Sequence, residues 1–133
     1  MAATAQFAAT IRCAEASISA ANTGRGGDGT LVTVFSAGAS SGSRVDRAYI
    51  VATSSTTAGM IRLFCNDSGT STGSNRLLYE VPVAAVTPSG SVPSWSSGPV
   101  NFDGGYLLPV GYSIKVSTQN AETFVVHMIG GDF

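Results

Sequence analysis

His127 is the single imidazole of this 133-residue chain, so any Ser-His-Asp relay would have to be assembled around it. A general base needs a nucleophile and an orienting carboxylate within hydrogen-bond reach. Serines are abundant and Asp103 and Asp132 are available, yet no serine sits in a nucleophile-elbow pattern. Flanked by Val126 and Met128, His127 reads as a strand residue, hydrogen-bonded or placed at a contact between subunits. The carboxylates are Glu15, Glu80, Glu122 and five scattered aspartates. A glycosidase needs two of them across a common cleft, and no spacing here pairs any two. One His, two separated cysteines and isolated carboxylates match no metal-ligand spacing. The sequence therefore predicts no catalytic, cofactor-binding or metal residues and no cofactor. It reads as a protein that is not an enzyme.

Gly24-Arg25-Gly26-Gly27-Asp28-Gly29 has the glycine content of a phosphate loop but lacks the Lys-Ser/Thr that completes one. No helical pattern follows it to supply an anion site, so it reads as a flexible loop. Asn66-Asp67-Ser68 matches a glycosylation sequon, yet it stands in a turn cluster and no secretory signal is expected. The segment from Met1 to Ala21 has no basic region, and Gln6, Arg12 and Glu15 interrupt any apolar stretch. Arg12, Arg44, Arg47, Arg62 and Arg76 are expected on outer strand faces. Asp46, Asp67 and Glu80 are available to pair with them, within the chain or between chains. Cys13 and Cys65 lie in apolar runs, where Cys behaves as a small buried hydrophobe. One disulfide is arithmetically open to them, and free thiols are the favoured reading.

Only 11% of residues are charged, and the formal charge of −1 gives no long-range field to attract nucleic acid or an anionic bilayer. No run approaches the roughly 20 apolar residues that span a membrane. Hydrophobic residues make up 44% of the chain, which argues against disorder. A surface of Ser, Thr, Gly and Ala with almost no net charge favours association, as in a member of an assembly. An ordinary weakly charged monomer is the alternative. The length suits one domain, residues 1–133.

The elements that must position these residues are strands. Phe7–Ile18 alternates Phe7, Ala9, Ile11 and Cys13 with Ala8, Thr10 and Arg12. Further runs are expected at Thr30–Ser36, Val45–Thr53, Met60–Cys65 and Arg76–Val83. Others follow at Val100–Phe102 with Tyr106–Leu108, at Tyr112–Ser117 and at Thr123–Ile129. In Arg76–Val83, Leu77, Tyr79, Val81 and Val83 alternate with Arg76 and Glu80, the pattern of a half-buried strand. No helix reads convincingly. Short strands separated by Gly/Ser/Pro turns predict an all-β fold: one antiparallel β-sandwich of about eight strands, jelly-roll-like.

Two features lean toward contact surfaces. Trp95 lies in the long Thr87–Pro99 loop, where it either lids one end of the sandwich or anchors an interface. In the last strand both Phe124, Val126, Met128 and Val125, His127, Ile129 are largely apolar. Such a strand is central with both faces covered, or docked on a neighbouring chain. Trp95, Val125, His127 and Ile129 are thus the candidate interface residues.

Four segments carry a resemblance: Met60-Ile61-Arg62-Leu63-Phe64, Asn75-Arg76-Leu77-Leu78-Tyr79-Glu80-Val81-Pro82-Val83, Val92-Pro93-Ser94-Trp95, and Gly111 through Phe124. Together they resemble small structural proteins of tailed bacteriophages, over roughly residues 45–133. Members of similar size act as capsid cement, or decoration, proteins: β-sandwich or jelly-roll trimers on the outer shell. The resemblance implies a homotrimer that binds the major capsid protein, made in the host bacterial cytoplasm and located on the virion surface. It implies no catalytic or ligand residue. The residues up to Ser43 match less clearly. Alternatives are another virion part, such as a tail, neck or fibre adaptor, or a carbohydrate-binding module using Trp95, Tyr106 and Tyr112 as a stacking platform.

Overall fold

Alternating apolar residues bounded by turn chemistry form eight strands: β1 (Thr10–Ile18), β2 (Val32–Ser36), β3 (Ser43–Ala52), β4 (Gly59–Asn66), β5 (Asn75–Val83), β6 (Ser96–Leu108), β7 (Ser113–Thr118) and β8 (Phe124–Asp132). The computed structural model describes residues 8–133; Phe7, where the first expected run begins, lies outside them. A 3₁₀ turn, Thr72–Ser74, interrupts the polar β4–β5 connection.

The pairing is nested. β4 pairs with β5, β3 with β6, β2 with β7 and β1 with β8, all antiparallel. Rolling this long nested hairpin sends alternate pairs to opposite layers. The result is a sheet in the order β1-β8-β3-β6 packed on a sheet in the order β2-β7-β4-β5. Eight strands so arranged make an antiparallel β-sandwich with the nested pairing of a double-sheet jelly roll, the fold that the expected count of about eight strands suits.

Between the sheets lie Val45, Ala48 and Ile50 of β3, Ile61 and Leu63 of β4, Ile114 and Val116 of β7, and Phe124, Val126 and Met128 of β8. Val45 and Ala48 are three positions apart because β3 bulges between Val45 and Arg47 against β8. Gly130 pairs with Val45 there, and a Cβ on it would run into the Arg44 carbonyl. Only glycine lets the two backbones approach so closely.

Two strands depart from the expected faces and a third from the expected bounds. In β1 the inward set is Ala14, Ala16 and Ile18; Ile11 is 90% exposed and Cys13 is exposed rather than buried. Arg12 takes the inward side instead, at the end of the sandwich. Its guanidinium lies 4.3 Å from the Phe35 ring centroid and donates to the Ser36 carbonyl at 2.5 Å and to Asp132 Oδ1 at 3.1 Å. A guanidinium so satisfied makes the inward phase tenable, and a one-residue change of phase moves every side chain across the sheet. In β5 a bulge between the Leu63–Tyr79 and Phe64–Leu77 pairs brings Leu78 against the core. Leu77 and Tyr79 are left exposed, so the expected single apolar face of that strand is broken. The two runs at Val100–Phe102 and Tyr106–Leu108 are one strand, β6, which also takes in the end of the expected Thr87–Pro99 loop. Arg47 faces Asn101 while Val45 faces Tyr106, so the segment between Asn101 and Tyr106 bulges from this edge.

The outer face of the β2-β7-β4-β5 sheet is covered by the β1–β2 connection. Asn22 N–H donates to the Thr118 carbonyl at 2.8 Å, tying the segment to the end of β7. The Asn22 side chain closes the glycine loop: Nδ2 donates to the Asp28 and Thr30 carbonyls, and Oδ1 accepts from Gly24 N–H. Gly27, at φ +86°, is buried against Asn75, whose Nδ2 donates to the Gly27 carbonyl at 3.1 Å. The expected free loop is therefore a packed strap. Beneath it Arg62 is 2% exposed, a correction to its expected place in solvent.

Candidate functional site

Register places the residues of the β1-β8-β3-β6 outer face in rows. Cys13, Ile129 and Arg47 face one another across β1, β8 and β3; so do Glu15, His127 and Tyr49, and so do Ser17, Val125 and Val51. β8 is central, its inner residues Phe124, Val126 and Met128 fully buried. Its outer residues Val125, His127 and Ile129 stand together and are half-buried. Val51 and Ile11 extend this apolar surface to either end. Near its centre His127 Nδ1 lies 3.3 Å from Glu15 Oε2, both side chains reaching solvent.

Trp95 is elsewhere. Its carbonyl accepts from Ala52 N–H at 2.8 Å, and its ring meets Phe124 edge-on at 5.7 Å between centroids. It lids the end of the sandwich where β3 finishes and β8 starts. Tyr106 pairs with Val45, about 23 Å along β3 from Ala52 at the usual rise per residue. Tyr106 and Tyr112 share a separate hollow of about 220 Å³ with Cys65 and Leu78. Burial, then the Cys65 thiol beside it, pushes the Tyr106 phenol up to about 12. The three aromatic residues thus form no common platform. Trp95 instead borders a groove with Tyr79, a residue that a uniform reading of β5 assigns to the core.

The groups that could do chemistry are dispersed. Asp132 accepts from Ser43 Oγ and Arg12 and is five positions along β8 from His127. The Ser43 hydrogen bond draws its carboxyl below the usual range, against the effect of burial, with Arg12 adding to the pull. Glu122 Oε1 accepts from Thr57 N–H at 2.8 Å and Thr57 Oγ1 at 2.6 Å. Glu80 Oε1 accepts from Arg62 Nε at 2.9 Å and from Arg25 Nε at 2.6 Å. Partial burial raises the Glu80 carboxyl, but hydrogen bonds and attraction from Arg25 and Arg62 outweigh it and leave the group below its ordinary range. Arg44 pairs with Asp46 at 2.9 Å, so these arginine pairs are intramolecular. Among the described residues no three His, Cys, Asp or Glu side chains gather as a metal would require, and Cys13 and Cys65 are free. No described helix is long and apolar enough to cross a membrane.

The arrangement offers contact surfaces: an open apolar sheet face and a flank groove. No family model matches the chain, and no curated protein matches it.

Proposed function

We propose that this chain is a virion structural protein, a capsid cement protein that binds the major capsid protein as a homotrimer on the outer shell. The observation that carries the reading is the outer face of β1, β8 and β3. There Val125, Ile129, Val51 and Ile11 stand exposed or half-exposed around a His127–Glu15 pair, with Arg47 in the row of Ile129. Exposed apolar surface of this kind marks contact with another chain. The resemblance of residues 45–133 to small phage structural proteins supports the identity of that contact. A weakly charged jelly roll stapled by nested strand pairs suits a part that must resist shear between capsomers. In this reading the sheet face joins the three subunits, and the trimer seats where three capsomers meet.

The test is particle binding. Purified protein is mixed with phage shells lacking it and sedimented, alongside Val125→Asp. The mutation places an unpaired carboxylate in the subunit contact, costing several kcal/mol if it is fully desolvated. Wild type should cosediment and run as a trimer in solution; the variant should run as a monomer and lose shell binding with its β-sheet circular dichroism intact. Wild-type protein that never associates with shells cannot be their cement.

A further inference from the structure

On the flank where the two sheets present their outermost strands, β5 and β6 border a groove of about 410 Å³. Tyr79 and Trp95 line it, with Glu80, Pro82, Pro99 and Asn101 among the other walls. We propose that this groove is a binding subsite for a neutral saccharide, independent of the capsid contact.

The chemistry selects the ligand by elimination. None of the residues lining the groove is Lys, Arg or His, and the cation beside it, Arg25, is already paired with the lining Glu80 at 2.6 Å, so the walls offer no unpaired cation to a phosphate or a carboxylate. The one lining carboxylate, Glu80, already accepts from both Arg62 and Arg25, which leaves no net negative charge to draw a cation. A peptide adding as a strand needs a continuous row of edge N–H donors. Pro82 in β5 and Pro99 in β6 interrupt that row on both borders. What remains is an uncharged ligand with an apolar face and a hydrogen-bonding rim. Hexose rings have that form: their C–H faces pack on aromatic rings and their hydroxyls seek amide and carboxylate groups.

The aromatic pair is suited to the task. Trp95 is held by its main-chain hydrogen bond to Ala52 and by its edge-on contact with Phe124, so little side-chain freedom is lost on binding. Tyr79 is 52% exposed and has surface left to cover. The β5 bulge that exposes Tyr79 also puts it beside the groove, which gives that irregularity a use.

Trp95 is the only tryptophan, so emission excited at the red edge, where the four tyrosines do not absorb, reports on this wall of the groove. The full-length protein is titrated with neutral gluco-, manno- and galacto-hexasaccharides, with a hexagalacturonate and a proline-rich peptide as comparisons. At least one neutral hexasaccharide should give a saturable change in emission. Tyr79→Ala and Asn101→Ala should each weaken it at least tenfold, with the circular dichroism spectrum unchanged. If Tyr79→Ala fails to fold, Asn101→Ala, at an exposed position, decides alone. The proposal is overturned if no neutral sugar gives a saturable response, if the substitutions leave the response intact, or if only the acidic sugar or the peptide binds.

Discussion

Replacing Arg62 by Met asks whether the strap over the second sheet is held by its buried guanidinium or merely rests on it. Arg62 Nε donates to Glu80 Oε1 at 2.9 Å, Nη2 to Gln119 Oε1 at 3.2 Å and Nη1 to the Asn22 carbonyl at 3.4 Å. The last is long and contributes least. Hydrogen bonds to a charged group are each worth about 1.5–3 kcal/mol, and an orphaned buried acceptor costs about 1–3 kcal/mol. Met keeps most of the aliphatic packing and removes the cost of burying a charge, an exchange that makes some buried ion pairs dispensable. Glu80 also retains Arg25, although that pair is mostly solvent-exposed and weak. The lost bonds and the stranded Asn22 and Gln119 acceptors outweigh these offsets, for a net loss of about 3 kcal/mol.

For a chain of this length that corresponds to a fall in Tm of roughly 10 °C, read by circular dichroism. Amide exchange should identify the lesion: protection should fall at Asn22–Gly29 first, because that segment is tied down through Asn22 and Arg62. Arg62→Lys, which keeps the charge but loses the planar fork, should fall between the two. A Tm equal to or above wild type for Arg62→Met would refute the reasoning, showing that desolvation cancels what the hydrogen bonds contribute.

Gly27→Ala should cost about 2 kcal/mol through the left-handed backbone alone, with more from the clash against Asn75, and its Tm should fall accordingly. Cys13 should react with a maleimide in the native protein and Cys65 more slowly; after denaturation both should react without prior reduction. A thiol pair that stays protected until reductant is added would contradict the free cysteines. In acid, Glu80 and Asp132 should both cost stability. Each folded carboxyl lies below its ordinary value, so each contribution is complete above the unfolded pKa and is lost as the pH falls through the folded one. Denaturant midpoints measured between pH 6 and pH 3 should fall, and the fall should shrink in Glu80→Gln.

Much of the fold is legible because alternation there has one physical solution. In β7, Ile114 and Val116 alternate with Lys115, and only one phase buries the apolar pair. β1 offers no such contrast. Ile11 and Cys13 outrank Ala14 and Ala16 in hydrophobicity, yet the inward phase is fixed by Ile18 and by a place for Arg12 over Phe35. That place is built by β2 and β8, far along the chain. In β5 the adjacent Leu77 and Leu78 compete for the core, and the bulge that resolves the competition is decided by pairing with β4. Arg62 is misread for a related reason: an arginine opposite apolar neighbours in a strand signals an outer face, but not that a strap from residues 22–30 will cover it.

The candidate contact face shows where legibility ends. Val125, His127 and Ile129 could be singled out because both phases of β8 are apolar, while the core can take only one. The structure adds that β8 is central and that β1 and β3 bring Cys13, Tyr49 and Val51 beside them. Local sequence therefore identifies the strand, and topology identifies the patch. The occupant is a property of a second surface, and its shape is not encoded in β8. Trp95 and Tyr79 make the same point within one chain. Trp95 stands out by type, but its partner in the groove comes from a strand whose bulge only the folded sheet resolves. A binding surface assembled from two edge strands is thus harder to read from sequence than a core, because its geometry depends on where the regular pattern breaks.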